Sequence, residues 1–104
     1  MTEQWRQVAT LNEIGEGETL RVEVDANAIC LYHIAGTIYA TDDLCTHGQA
    51  SLADGLIIDD ALIECPLHEG AFDIRSGAPA RAPCKNALTC YRVRVQGENV
   101  SVEL

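Results

Sequence analysis

Positive charge is scarce in this sequence: Lys and Arg number 7 against 16 Asp and Glu in 104 residues, a formal net charge of −9. Proteins that bind nucleic acid or anchor to membranes through basic patches need clustered Lys and Arg, so both classes are excluded. Aromatic residues are almost as sparse. Trp5, Tyr32, Tyr39, Phe72 and Tyr91 cannot fill an interior by themselves, and a chain of this length buries only about two-thirds of its unfolded surface, which favours an additional fastening such as a metal. No apolar run approaches the roughly 18 to 20 residues that cross a bilayer. The opening MTEQWRQVAT has no basic start leading into an apolar stretch, so the expected location is the cytoplasm, with no membrane contact. An apolar period of 3.6 residues is nowhere sustained over ten positions; residues 9–13 offer a single turn with Thr10 as its cap.

What is present is the alternation of β-strands. Leu20, Val22 and Val24 alternate with Arg21 and Glu23, which predicts a strand over 19–24 with one buried face. Runs at 28–34 and 37–41 are separated by Ala35-Gly36, a connection short enough for a tight hairpin. Near the end, Tyr91, Val93 and Val95 alternate with Arg92 and Arg94, a turn follows at 97–99, and Val100, Val102 and Leu104 alternate in their turn. Between these outer strands, about residues 42–83, lies a different stretch that holds four glycines and all three prolines. Short apolar runs at 56–58 and 61–64, split by Asp59-Asp60, predict a small hairpin inside it. The expectation is one all-β domain over 1–104, with an antiparallel base at about 1–41 and 84–104 and a loop-rich insert at about 42–83. Charge divides along the chain as well: residues 1–74 carry net −12 and residues 75–104 net +3.

The insert contains Cys45-Thr46-His47 and, after seventeen intervening residues, Cys65-Pro66-Leu67-His68. Each half pairs a thiolate with an imidazole, and two such loops at hairpin tips can converge on one metal centre. Gly48 and Gly70 follow closely and allow tight loops whose N–H groups turn toward sulfur. Four Cys and His ligands satisfy tetrahedral zinc, so a zinc-stabilised binding module is one reading. Common zinc sites, however, pair Cys with Cys and His with His at short spacing, whereas each loop here mixes the two. A [2Fe–2S] cluster with two Cys on one iron and two His on the other needs the two-and-two set that these loops offer.

The resemblance reaches beyond those four residues. Cys45-Thr46-His47-Gly48 with Asp54-Gly55, then Glu64-Cys65-Pro66-Leu67-His68-Glu69-Gly70 with Phe72-Asp73, Gly77, Pro79 and Pro83, is similar to the Rieske ferredoxin family, in particular to the ferredoxin components of bacterial aromatic-ring dioxygenase systems of the naphthalene and biphenyl type. The resemblance implies a Rieske-type fold, an antiparallel β-sandwich base with a small cluster-binding subdomain inserted between outer strands. It also implies one [2Fe–2S] cluster, with Cys45 and Cys65 on the inner iron, His47 and His68 on the outer iron, and a proline-containing loop covering the site. The implied function is one-electron transfer from an NAD(P)H-dependent flavoprotein reductase to a terminal oxygenase, through transient docking of a monomer. A small Rieske-like subunit of another oxidoreductase, such as nitrite reductase, is the alternative within the same fold. Respiratory relatives carry a cysteine pair that forms a disulfide where this chain has Ala50 and Leu67, and a tyrosine where it has Phe72.

The remaining residues restrict the function further. A non-haem oxygenase iron needs two more histidines and a carboxylate; His33 alone is unspent and reads as a strand residue with an ordinary hydrogen bond, so the chain is not the oxygenase. Gly15-Glu16-Gly17 lacks the third glycine of a dinucleotide-binding turn. Cys30 and Cys90 are expected as buried small thiols and Cys84 as an exposed one, with Asp42-Asp43 and Asp59-Asp60 as solvated turn residues.

Overall fold

The computed structural model describes residues 4–46, 50–59, 61–67, 70–82 and 84–104. In chain order its strands are β1 (Trp5–Thr10), β2 (Thr19–Val24), β3 (Asn27–Ile34), β4 (Thr37–Asp42), β5 (Leu56–Ile58), β6 (Leu62–Glu64), β7 (Ala71–Asp73), β8 (Pro79–Arg81), β9 (Cys90–Tyr91), β10 (Val93–Gln96) and β11 (Asn99–Glu103). Every pairing is antiparallel, and the sheets run β1-β11-β10, β2-β3-β4-β9 and β5-β6-β7-β8. The protein is therefore all-β, as expected. Its described helical content is two 3-10 turns, Leu11–Glu13 and Leu52–Asp54. The first is the turn expected at 9–13; there the Thr10 N–H donates to Glu13 Oε1 at 2.8 Å.

The first two sheets face each other over Ala9, Ile14, Val24, Ile29, Leu31, Ile38, Ala40, Val100 and Val102. Leu20 and Val22 pack against this core, while Arg21 and Glu23 face outward and pair at 2.8 Å, as the alternation requires. The hairpin connections Asp25-Ala26 and Ala35-Gly36 put both residues at positive φ, 49° and 69° in one and 50° and 81° in the other. That handedness matches the twist of the flanking strands.

Strand β3 is apolar almost throughout because both of its faces are covered. Ile29 and Leu31 point into the sandwich core, whereas Cys30 and Tyr32 belong to a second core with Cys45, Leu52, Ile63, Cys65, Phe72, Ile74, Cys84 and Leu88. The insert thus packs onto the back of the central sheet. Tyr32 Oη shares a 2.8 Å hydrogen bond with Thr41 Oγ1, which satisfies two hydroxyls that burial would otherwise leave costly.

Two local readings change. The run at 91–96 is not one strand: Tyr91 pairs with Ala40 in the central sheet, and Val93 pairs with Val102 in the other. The chain changes sheets at Arg92, because the Tyr91 hydroxyl donates to Asp42 while the Arg92 carbonyl accepts the Glu103 N–H at 3.0 Å. Val95, on the edge strand β10, is consequently 42% exposed despite its alternation. In the insert, the predicted hairpin is β5–β6, and β7 and β8 extend it to four strands. A Cβ on Gly55 would lie 2.0 Å from the Glu64 carbonyl oxygen, so the Asp54-Gly55 pair is where the chain crosses closely over β6.

Candidate metal centre

Both cysteine loops are built the same way. Cys45 follows β4, and its N–H donates to the Ala50 carbonyl at 3.0 Å; Cys65 follows β6, and its N–H donates to the Gly70 carbonyl at 2.7 Å. Cys65 directly follows its strand and Cys45 lies three residues past the end of its own, and each cysteine N–H bonds back to the carbonyl five residues later. The two roots converge. Cys45 and Cys65 are 2% and 1% exposed and lie in one buried cluster. The Leu67 N–H donates to Cys65 Sγ at 3.4 Å, so a backbone donor of the second loop does turn toward sulfur. Burial is the main cause that pushes the Cys65 thiol up, to about 11.

That environment tests the fit to a metal cluster. Two thiolates buried side by side are costly unless a cation offsets them, and thiolates are the form in which cysteine binds metal. The described half of the site is thus a matched donor pair suited to one iron. His47, Gly48 and His68 lie outside the described residues, as do Asp60 and Pro83. Among the described residues, no group of three or more His, Cys, Asp and Glu side chains is placed to hold a metal ion.

Contacts of three residues, Asp42, Asp43 and Thr46, hold the first cysteine loop in place, and the sequence pattern marked none of these contacts. Asp43, expected as a solvated turn residue, is 2% exposed. Its carboxylate accepts from Arg21 Nε at 3.2 Å and from the Ala53 N–H at 3.0 Å, fastening the start of the cysteine loop to β2 and to the 3-10 turn beyond. Asp42 takes the Tyr91 hydroxyl, and its N–H donates to the Thr89 carbonyl at 2.9 Å. Thr46 Oγ1 donates to the Asn86 carbonyl at 2.7 Å, tying the loop to the segment between β8 and β9.

The other two cysteine expectations are reversed. Cys84 is buried at 6% because its segment folds inward over the cysteine pair, while Cys90 is exposed because β9 is the edge strand of its sheet. Cys30 is fully buried as expected, and desolvation pushes its thiol up to about 12. His33 has the ordinary partner foreseen, the Ile14 carbonyl at 2.9 Å from Nδ1. At the tip of the second loop, Pro66 is exposed and Leu67 is 41% exposed.

Two matched loops rooted in a buried cysteine pair, set on a three-sheet antiparallel fold, define a small domain built to hold a metal cluster. The Rieske [2Fe–2S] domain family matches residues 4–92. The chain belongs to that family, and it carries one [2Fe–2S] cluster. It is 43% identical over 104 residues to the ferredoxin component of a naphthalene 1,2-dioxygenase system from Pseudomonas aeruginosa, covering 100% of this chain and 99% of the relative. Among solved structures it is similar to the ferredoxin of carbazole 1,9a-dioxygenase from Nocardioides aromaticivorans IC177, with 35% identity, a TM-score of 0.90, and 94% and 95% of the two chains covered. A ferredoxin solved in complex with the oxygenase of carbazole 1,9a-dioxygenase gives 39% identity and a TM-score of 0.88, with 95% and 92% covered.

Proposed function

We propose that this chain is the ferredoxin of a multicomponent aromatic-ring dioxygenase system, an electron carrier without a catalytic site of its own. It takes single electrons from an NAD(P)H-dependent flavoprotein reductase in the cytoplasm and passes them to the terminal oxygenase. The observation that carries this reading is the convergence, on the buried Cys45–Cys65 pair, of two loops closed by equivalent backbone bonds, in a chain similar over its whole length to such ferredoxins.

In this reading Cys45 and Cys65 hold the inner iron and His47 and His68 the outer one. The bound cluster accepts and returns one electron. The chain's own work is to keep water from the two cysteine sulfurs, to aim the Leu67 N–H at one of them, and to present the tip of the second loop to solvent. Pro66 and Leu67 form a small apolar rim there. A rim of that size suits a short-lived encounter burying less than about 1,200 Å², in keeping with a monomer that must visit two partners in turn. The base at about 1–41 and 84–104 serves as support, and the insert at about 42–83 as the cluster-binding subdomain.

Electron paramagnetic resonance of the dithionite-reduced protein, with iron and acid-labile sulfide assayed on the same sample, tests the assignment. The expected result is the rhombic signal of a histidine-ligated cluster, with two irons and two sulfides per chain. His47→Ala and His68→Ala each lose that signal and the iron. A His68→Ala protein with full iron content and an unchanged signal contradicts the ligand set, and a colourless protein holding one zinc contradicts the carrier reading.

A further inference from the structure

Residues 84–89, between β8 and β9, form a strap against the buried cysteine pair. Cys84 and Leu88 are its inward side chains, 6% and 4% exposed, and both lie in the cluster that holds Cys45 and Cys65. Lys85, Asn86 and Ala87 between them are exposed, so the strap is an arch standing on two buried feet. Backbone bonds fasten the feet. The Cys84 N–H donates to the Arg81 carbonyl at 3.2 Å, the Leu88 N–H donates to the Gly77 carbonyl at 2.8 Å, and the Thr89 carbonyl accepts the Asp42 N–H at 2.9 Å.

The arch itself is reached from the first cysteine loop. Among the described residues, the hydrogen bond to it comes from Thr46, whose Oγ1 donates to the Asn86 carbonyl at 2.7 Å across forty residues of chain. Thr46 is the neighbour of Cys45, so this bond joins the loop directly to the strap. Thr46 and Asn86 are both exposed, and water competes for the same groups. A bond exchanged for water shifts an equilibrium by only about two- to tenfold. That magnitude does not decide whether the chain folds, but it does set how often a locally held segment lifts.

We propose that Thr46 is a positioning residue that latches the strap over the cysteine pair, so that loss of its hydroxyl bond uncovers the cysteine sulfurs more often without altering the closed site. The inference rests on Cys45 and Cys65 being cluster ligands. With the strap closed the two residues are 2% and 1% exposed, so a chelator removes iron through the opened state. Its rate then follows the population of that state wherever reclosing is fast. The Leu88 N–H, bonded to Gly77, exchanges with solvent through the same opening. Both rates therefore rise by one factor when the latch is removed.

The test compares loaded wild type, Thr46→Val, Thr46→Ser and Asn86→Ala. Iron release to a chelator is followed by visible absorbance, deuterium uptake over residues 84–89 by mass spectrometry, and the reduced cluster by electron paramagnetic resonance. Valine keeps the shape of threonine without its hydroxyl, serine keeps the hydroxyl, and alanine at 86 removes a side chain that the bond does not use. Thr46→Val should speed iron release and deuterium uptake by the same factor, about two- to tenfold, with g-values and midpoint potential unchanged. Thr46→Ser and Asn86→Ala should match the wild type. Wild-type rates in Thr46→Val, or either other variant as fast as Thr46→Val, overturn the proposal. So do shifted g-values in Thr46→Val, which mark distorted ligand geometry, and a Thr46→Val protein that takes up no cluster, because a latch acts on a site already formed. Failure of the underlying reading looks different: the wild type itself then lacks the two-iron signal, whereas a loaded wild type beside an unaffected Thr46→Val removes the role of Thr46 alone.

Discussion

Glu16 shows how one exposed side chain can hold a fold together at a distance. Its carboxylate accepts the N–H groups of Gly36, at 2.9 Å, and of Ala35, which cap the β3–β4 hairpin from a loop about twenty residues earlier in the chain. Those two backbone donors, Gly36 first, hold its carboxyl below the usual carboxylate range. A depressed folded-state pKa contributes stability above the unfolded value, and that stability is lost as pH falls through the folded one. Glu16→Ala should therefore unfold at lower urea than the wild type at pH 7, with the gap narrowing once the pH drops below about 4. A gap as wide at pH 3 as at pH 7 would show that these hydrogen bonds do not depend on the charge. Asp43 teaches a related lesson. In the sequence it is one of two adjacent acids, and only folding reveals which one is buried against Arg21.

At the scale of elements, the two hairpin turns and the strand alternation were readable because period and turn chemistry are local. The sheet change at Arg92 was not, since a two-strand alternation looks the same whether its residues pair with β4 or with β11. Gly77 belongs to this scale too. Its φ is +80°, and a Cβ there would meet the Leu88 carbonyl oxygen at 2.4 Å, where the turn between β7 and β8 receives the segment that carries Cys84. Gly77→Ala pays both for the left-handed backbone and for that clash, about 2 kcal/mol or more. Denaturant unfolding of the loaded protein should register it, together with faster bleaching of the cluster as the covering segment loosens. Wild-type stability in this variant would mean the segment can move aside freely.

For the molecule as a whole, the balance of charge governs the redox potential. With the proposed ligand set, two thiolates would bring the oxidised core to zero and one electron would take it to minus one, whereas four thiolates would start at minus two, so imidazole ligands would raise the potential. Opposing this, the chain carries net −9, and Phe72 brings no hydroxyl into the fully buried position it occupies. The midpoint should fall at the bottom of the Rieske range, about −150 mV. A value above about +100 mV would show that donors other than the Leu67 N–H dominate.

The sequence by itself determined the strand class, the hairpin turns and the two Cys-containing loops, because alternation, turn residues and ligand spacing act over a few neighbouring positions. Tertiary structure decided what depends on which surfaces meet. It placed Cys84 inside and Cys90 outside, since one lies on a segment folded over the cysteine pair and the other on a sheet edge. It buried Asp43, whose partners are 22 and 10 residues away. It also gave β3 two cores to serve, so that Ile29 and Leu31 support the sandwich while Cys30 and Tyr32 support the cysteine loops. Packing between segments distant in sequence settles these matters, and no local pattern encodes which face a neighbour will cover.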